Sequence, residues 1–98
     1  MKNVVNVAIQ VLPQSETKKA YDLVDVAIEV IKNSGLKYRV CPFETVVEGP
    51  YDKIMKTIEE MQQKCFENGA GELLVYLKIQ NRNNSDVSIE EKMHKYDN

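Results

Sequence analysis

An α+β sandwich in the order strand, helix, strand, strand, helix, strand, with a short C-terminal helix appended, is the fold that this 98-residue sequence predicts. Three observations predict it. Apolar residues alternate with polar ones in four stretches, apolar residues recur every three or four positions in two longer stretches, and Gly or Pro punctuates most of the joins.

Taking the elements in order, Val5, Val7, Ile9 and Val11 alternate with Asn6, Ala8 and Gln10, the period of a strand with one face in a core, and Pro13 is expected to close it. Ser15 is a plausible N-cap for a helix whose stripe is Ala20, Leu23, Val24, Ala27, Ile28 and Ile31. Ser34-Gly35 ends that helix, because glycine adopts the left-handed conformation of a C-terminal cap without strain. Leu36, Tyr38 and Val40 start a hairpin that returns as Thr45-Val46-Val47-Glu48, with Pro42 suited to the second position of the turn. Pro50 fits the first turn of a second helix carrying Ile54, Ile58, Met61 and Cys65, which Gly69-Ala70-Gly71 stops. Leu73, Val75, Leu77 and Ile79 form the last strand, and Asn81-Arg82-Asn83-Asn84-Ser85-Asp86 reads as a loop. Ser88 and Glu91 then make a capping box before a helix with Ile89, Met93 and Tyr96 on one side, too short to persist unless it docks.

This order is the split βαβ, or ferredoxin-like, arrangement: a single domain over residues 1–98 with a four-stranded antiparallel sheet and both long helices on one face. The other face is expected to lack cover within the chain and to display Ala8, Gln10, Arg39, Val46, Leu74 and Tyr76. A mixed surface with an apolar middle of that kind favours packing between subunits, with the C-terminal helix docking across the contact; a monomer with a half-polar open face is the alternative.

Composition narrows the function. Thirteen Lys and Arg against fifteen Asp and Glu leave a net charge of −2, which offers no general attraction to phosphate backbones or anionic lipid. No apolar stretch approaches the roughly 20 residues of a membrane span, and the N-terminus runs into strand-like sequence rather than a signal peptide. The expectation is a cytoplasmic protein without nucleic-acid or membrane partners. Cys41 and Cys65 form no C-x-x-C pair and are read as reduced thiols, Cys65 as core packing. His94, the single histidine, is read as a surface residue. The common phosphate, dinucleotide, serine-hydrolase and zinc-protease motifs are missing, so no cofactor, metal or catalytic residue is assigned.

Chemistry concentrates instead around Thr45-Val46-Val47-Glu48-Gly49-Pro50. Glu48 could accept from a ring amine or protonated ring nitrogen. Thr45 and Asn6 could supply directional hydrogen bonds, and Tyr38 a face for stacking, which together suit a small, flat, nitrogen-containing ligand. A plainer reading also fits: Glu48 precedes a helix whose N-terminus favours negative charge, and Thr45 is an ordinary strand residue. Strict alternation points Thr45 and Glu48 to opposite faces, so a shared site needs a bulge or a subunit boundary.

At these residues the sequence resembles the small single-domain thiamine-binding-like proteins, formerly a domain of unknown function. The resemblance rests on Val7-Ala8-Ile9-Gln10-Val11-Leu12-Pro13, Ser34-Gly35-Leu36-Lys37-Tyr38, Pro42, Thr45-Val46-Val47-Glu48-Gly49 and Ile89-Glu90-Glu91-Lys92-Met93-His94-Lys95-Tyr96. It implies a ferredoxin-like fold, face-to-face dimers assembling into tetramers, and binding of thiamine or its hydroxymethyl-aminopyrimidine half without catalysis. It also implies that Thr45, Glu48 and Gly49 contact the ligand, with Tyr38 and Ser34 as further motif positions; Asn6 is added from strand geometry alone. An acidic, partly desolvated site would favour the thiazolium cation, and without a Gly-rich phosphate loop free thiamine or a precursor is expected over the diphosphate. The alternative is a structural or regulatory oligomer that binds another protein through its sheet face or C-terminal helix. A small enzyme using Cys41 as nucleophile comes third.

Overall fold

The computed structural model describes residues 2–97. Its elements are β1 (Val4–Gln14), α1 (Ala20–Asn33), β2 (Lys37–Val40), β3 (Thr45–Pro50), α2 (Tyr51–Glu67), β4 (Glu72–Gln80) and α3 (Ile89–Met93). The strands form one antiparallel sheet in the order β2-β3-β1-β4. This is the ferredoxin-like α+β architecture, with α1 and α2 packed on each other and on one side of the sheet.

Burial follows the period-two pattern. Val5, Val7 and Ile9 of β1 and Val47 of β3 face the helices and meet Leu23, Ala27 and Ile31 of α1 and Ile54, Ile58, Met61 and Cys65 of α2, all buried. A side chain of this kind contributes about 1.5–3 kcal/mol when fully buried, so this layer holds the fold together. Cys65 belongs to it, as expected: its thiol lies 3.6 Å from the Leu23 carbonyl oxygen, and burial pushes its pKa up.

Helix α1 stops as the sequence requires, with Gly35 at φ 82° directly after the Ser34 cap. The Ser34 hydroxyl donates to the Ile31 carbonyl and accepts from the Leu36 N–H at 3.1 Å, folding the chain back into β2. Across the hairpin the Cys41 N–H donates to the Glu44 carbonyl at 2.9 Å, closing a turn that holds Pro42.

Several local expectations are corrected. Strand β1 does not close at Pro13 but runs on to Gln14, pairing Pro13 with Leu73. The β3 pairing ends at Ile9 opposite Thr45, so beyond that point β1 is an edge on one side, and an edge tolerates proline. Ser15 does not cap α1, whose N-cap is Lys19. Its hydroxyl instead accepts from the N–H groups of Thr17 and Lys18 and donates to the Gly69 carbonyl at 2.6 Å, tying the β1–α1 turn to the end of α2. Pro50 is the N-cap of α2 rather than part of its first turn.

The larger correction concerns the face away from the helices. Ala8, Gln10, Arg39, Val46, Leu74 and Tyr76 share it, as the register requires, but the chain does not leave it bare. Residues 86–97 cross it as a strap. The Asp86 carboxylate accepts from the Val4 N–H at 2.8 Å, the Val87 N–H donates to the Val4 carbonyl at 3.0 Å, and Val87 and Ile89 are buried. The capping box of Ser88 and Glu91 starts α3 as predicted. Tyr96, in contrast, lies exposed beyond the end of the helix.

Candidate functional site

The strap begins over a row of polar residues that the register lines up across the whole sheet. Lys37 of β2 stands opposite Glu48 of β3, Glu48 opposite Asn6 of β1, and Asn6 opposite Gln80 of β4. In the next row Arg39 faces Val46, Val46 faces Ala8, and Ala8 faces Lys78. The strand period of two therefore puts a carboxylate, two amides and three cations on the face opposite the core.

Glu48 is the centre of this arrangement. Its side chain is only 13% exposed, and the Lys37 ammonium lies 3.8 Å from Oε2. Oε1 accepts from Asn6 Nδ2 at 3.3 Å and from the backbone N–H of Ile89 at 2.6 Å. A carboxylate removed from water needs such donors, and charge-assisted bonds are the stronger kind. Asn6 is buried at 3% exposure; its Nδ2 also donates to the Val87 carbonyl at 3.1 Å, while its Oδ1 is buried without a hydrogen-bond partner. With Nδ2 committed to two acceptors, rotating the amide would only set oxygen against oxygen, so the unsatisfied acceptor belongs to the site itself.

Beside this pair lies a hollow of about 320 Å³ lined by Arg39, Cys41, Val46, Ile89, Lys92 and Met93. Its walls are mostly apolar, with two cationic side chains at the margin. Ile89 joins the two halves of the site, donating its N–H to Glu48 and lending its side chain to the hollow.

The six residues singled out in the sequence separate into two groups and Ser34, which stands apart at the end of α1. Asn6 and Glu48 come together on the strap side. Thr45, Tyr38 and Gly49 lie on the helix side, because Thr45 pairs with Ile9, Tyr38 with Val47 and Gly49 with Val5, all core-facing registers. The regular β1–β3 pairing contains no bulge that would turn Thr45 toward Glu48. Thr45 is buried and Tyr38 packs against the core. Gly49 answers to packing, since a Cβ there would come within 2.5 Å of Leu36 Cδ2. Ser34 is the C-cap of α1, in the turn that leads into β2. Sequence reasoning missed Lys37, Ile89 and the strap's role; the signal was Val87, a lone apolar residue between a polar loop and a capping box.

Fold and site together define a class: a small ferredoxin-like domain with a carboxylate-centred polar row and an apolar hollow on its sheet face. Among the described residues no group of three or more His, Cys, Asp or Glu is placed to hold a metal ion, and no helix is long and apolar enough to cross a membrane. The chain belongs to the thiamine-binding protein family, whose model matches residues 7–97. A UPF0045 protein of Clostridium perfringens is 37% identical over 91 residues, covering 93% of this chain and 95% of its own. Among solved structures, a protein of the former family of unknown function DUF77 from Bacillus cereus superposes with a TM-score of 0.93 at 40% identity, over 98% of this chain and 92% of that one. A Thermotoga maritima protein given a candidate role in thiamine biosynthesis or salvage superposes with a TM-score of 0.85 at 34% identity, over 95% and 98%.

Proposed function

We propose that this protein binds thiamine, or its hydroxymethyl-aminopyrimidine half, without catalysing a reaction on it, and that it does so as a homo-oligomer. The observation that carries this reading is the Glu48 carboxylate, nearly buried on the sheet face, accepting an N–H at 2.6 Å and bordering an apolar hollow. An aminopyrimidine brings N–H donors of the kind Glu48 accepts. Thiazolium brings a permanent cation that a desolvated carboxylate favours, and the flat ring suits a hollow walled by Val46, Ile89 and Met93. The family match and the Thermotoga relative support the choice of ligand. Arg39 and Lys92 at the margin are exposed and carry no glycine-rich phosphate cradle, so free thiamine is favoured over the diphosphate.

Thr45, Tyr38, Gly49 and Ser34 stay in this reading only as residues that shape the sheet and its joins, or that a second copy meets. Self-association is supported by Leu12, Leu74 and Tyr76, exposed at 41%, 46% and 56% on the strap side of β1 and β4. The same apolar strip favours the second reading, a regulatory oligomer that engages another protein and takes no small ligand.

Calorimetry with thiamine, the pyrimidine half and thiamine diphosphate tests the proposal. Heat of binding is expected with the first two, and none with any of the three at millimolar ligand refutes it. Glu48→Gln is expected to lower thiamine affinity at least tenfold, the scale of a lost charge-assisted hydrogen bond; unchanged affinity refutes the residue assignment. Light scattering on Tyr76→Lys then separates the second reading from the first, since a monomer that still binds thiamine shows that ligand and assembly surfaces are independent.

A further inference from the structure

We infer that the C-terminal strap is an internal cap of the Glu48 site, which an N–H-bearing ligand must displace. The inference rests on the reading of Glu48 as the ligand's carboxylate. The backbone N–H of Ile89 already occupies Oε1 of that carboxylate at 2.6 Å, the shorter of the two hydrogen bonds Oε1 accepts, and the Lys37 ammonium stands 3.8 Å from Oε2. The strap thereby supplies the same kind of donor as an aminopyrimidine, and both cannot use Oε1 in one geometry.

Two features suit the strap to release. Its anchoring is uneven. At the root, Asp86 and Val87 are bonded to both backbone groups of Val4, and Val87 is fully buried. Toward the tip, the strap is held by the Arg39–Asp97 ion pair at 2.9 Å and by Lys92 donating to Gln80 at 2.7 Å, contacts made by exposed residues that contribute little in water. Beneath Lys92 and Met93 lies the hollow, and Ile89 is the one buried side chain of α3, so a small shift of the helix leaves the Val87 anchor intact. The capped state also leaves Asn6 Oδ1 buried without a donor, although Asn6 Nδ2 holds Val87. A cap that satisfies one acceptor of the Glu48–Asn6 pair and leaves the other orphaned is an incomplete stand-in for a ligand with two donors.

A shift about Ser88 that moves the Ile89 N–H off Oε1, with Ile89 and Met93 still walling the hollow, frees the carboxylate while the root stays in place. The strap thus sets a threshold for binding. A weak donor leaves it closed, whereas a ligand that brings both an N–H donor and a positive charge to the carboxylate opens it.

Ile89→Pro removes the competing N–H at the first helical position, where proline is well tolerated, and the preceding Ser88 is already extended at φ −123° and ψ 145°. Titrated with thiamine, this variant is expected to bind about tenfold more tightly than the unmodified protein, the scale of one charge-assisted hydrogen bond. Binding equal to or weaker than that of Ile89→Ala, which trims the same wall side chain but keeps the N–H, overturns the cap and leaves the thiamine reading standing. Absence of binding by all three proteins overturns the two together. Should the proline variant fail to fold, amide hydrogen exchange on the unmodified chain decides: saturating thiamine is expected to deprotect Ile89 and leave Val87 protected. Unchanged or increased protection of Ile89 refutes the cap.

Discussion

The two faces of the sheet bury comparable strand residues by opposite means. On the helix side, Val5, Val7, Ile9 and Val47 meet two amphipathic helices and every partner is apolar. On the strap side, Asn6 and Glu48 are almost as hidden, yet they are hidden by a dozen residues whose backbone supplies the donors and acceptors. Apolar packing is non-directional and tolerant of ligand-free isolation, whereas a buried carboxylate and amide need particular partners. The difference teaches where to look for function: the helix side explains itself by packing, and the strap side carries an unsatisfied acceptor that packing does not explain.

Substitutions can test how deep that contrast runs. Ile54→Ala, in the core, is expected to cost about 2–5 kcal/mol in denaturant unfolding, against about 0.5 kcal/mol or less for Leu74→Ala on the exposed strip. A similar loss for both would mean that the strip is buried by self-association. Gly49→Ala is expected to cost about 1–3 kcal/mol through its clash with Leu36, and the double variant with Leu36→Ala should recover part of the clash term. If Gly49→Ala is neutral for stability but weakens thiamine binding, the residue belongs to a ligand site after all.

The smallest expected effect is in acid. The hydrogen bond from Arg82 at 2.9 Å, followed by that from the Ser88 N–H at 3.3 Å, holds the Glu91 carboxyl below its ordinary value of 4.5. A group with a depressed folded-state pKa contributes its stability fully above the unfolded value and loses it as pH falls through the folded one. The start of α3 should therefore loosen only below pH 4.5, seen as faster amide exchange at Glu91 while the core amides hold. Glu91→Gln keeps a capping partner without a titrating charge and should flatten that dependence; an identical acid transition in the variant would assign the loosening to another carboxyl.

Local periodicity made most of this architecture legible. The four strands, both long helices, the Gly35 cap and even the residues shared by the open face follow from alternation, the helical stripe and turn chemistry. What escaped was set by tertiary partners. Pro13 continues a strand because β3 has already left it, and Ser15 binds Gly69, which is distant in sequence. Half of the site was visible for the same reason that it is informative: Asn6 and Glu48 are polar residues in strands that are otherwise mostly apolar. Ile89 contributes through its backbone, which no side-chain pattern advertises. Thr45 and Tyr38 drew attention by residue type, although alternation already placed Thr45 on the other face from Glu48.

The distribution of sulfur has a practical consequence. Cys65 is sealed between α1 and α2 with its thiol made less acidic by burial, while Cys41 is partly exposed at the wall of the hollow beneath the strap. A maleimide dye added to the unmodified chain should therefore report from one address only. That address lies where the cap would lift, so opening could be followed by fluorescence in real time without first engineering a reporter into the protein.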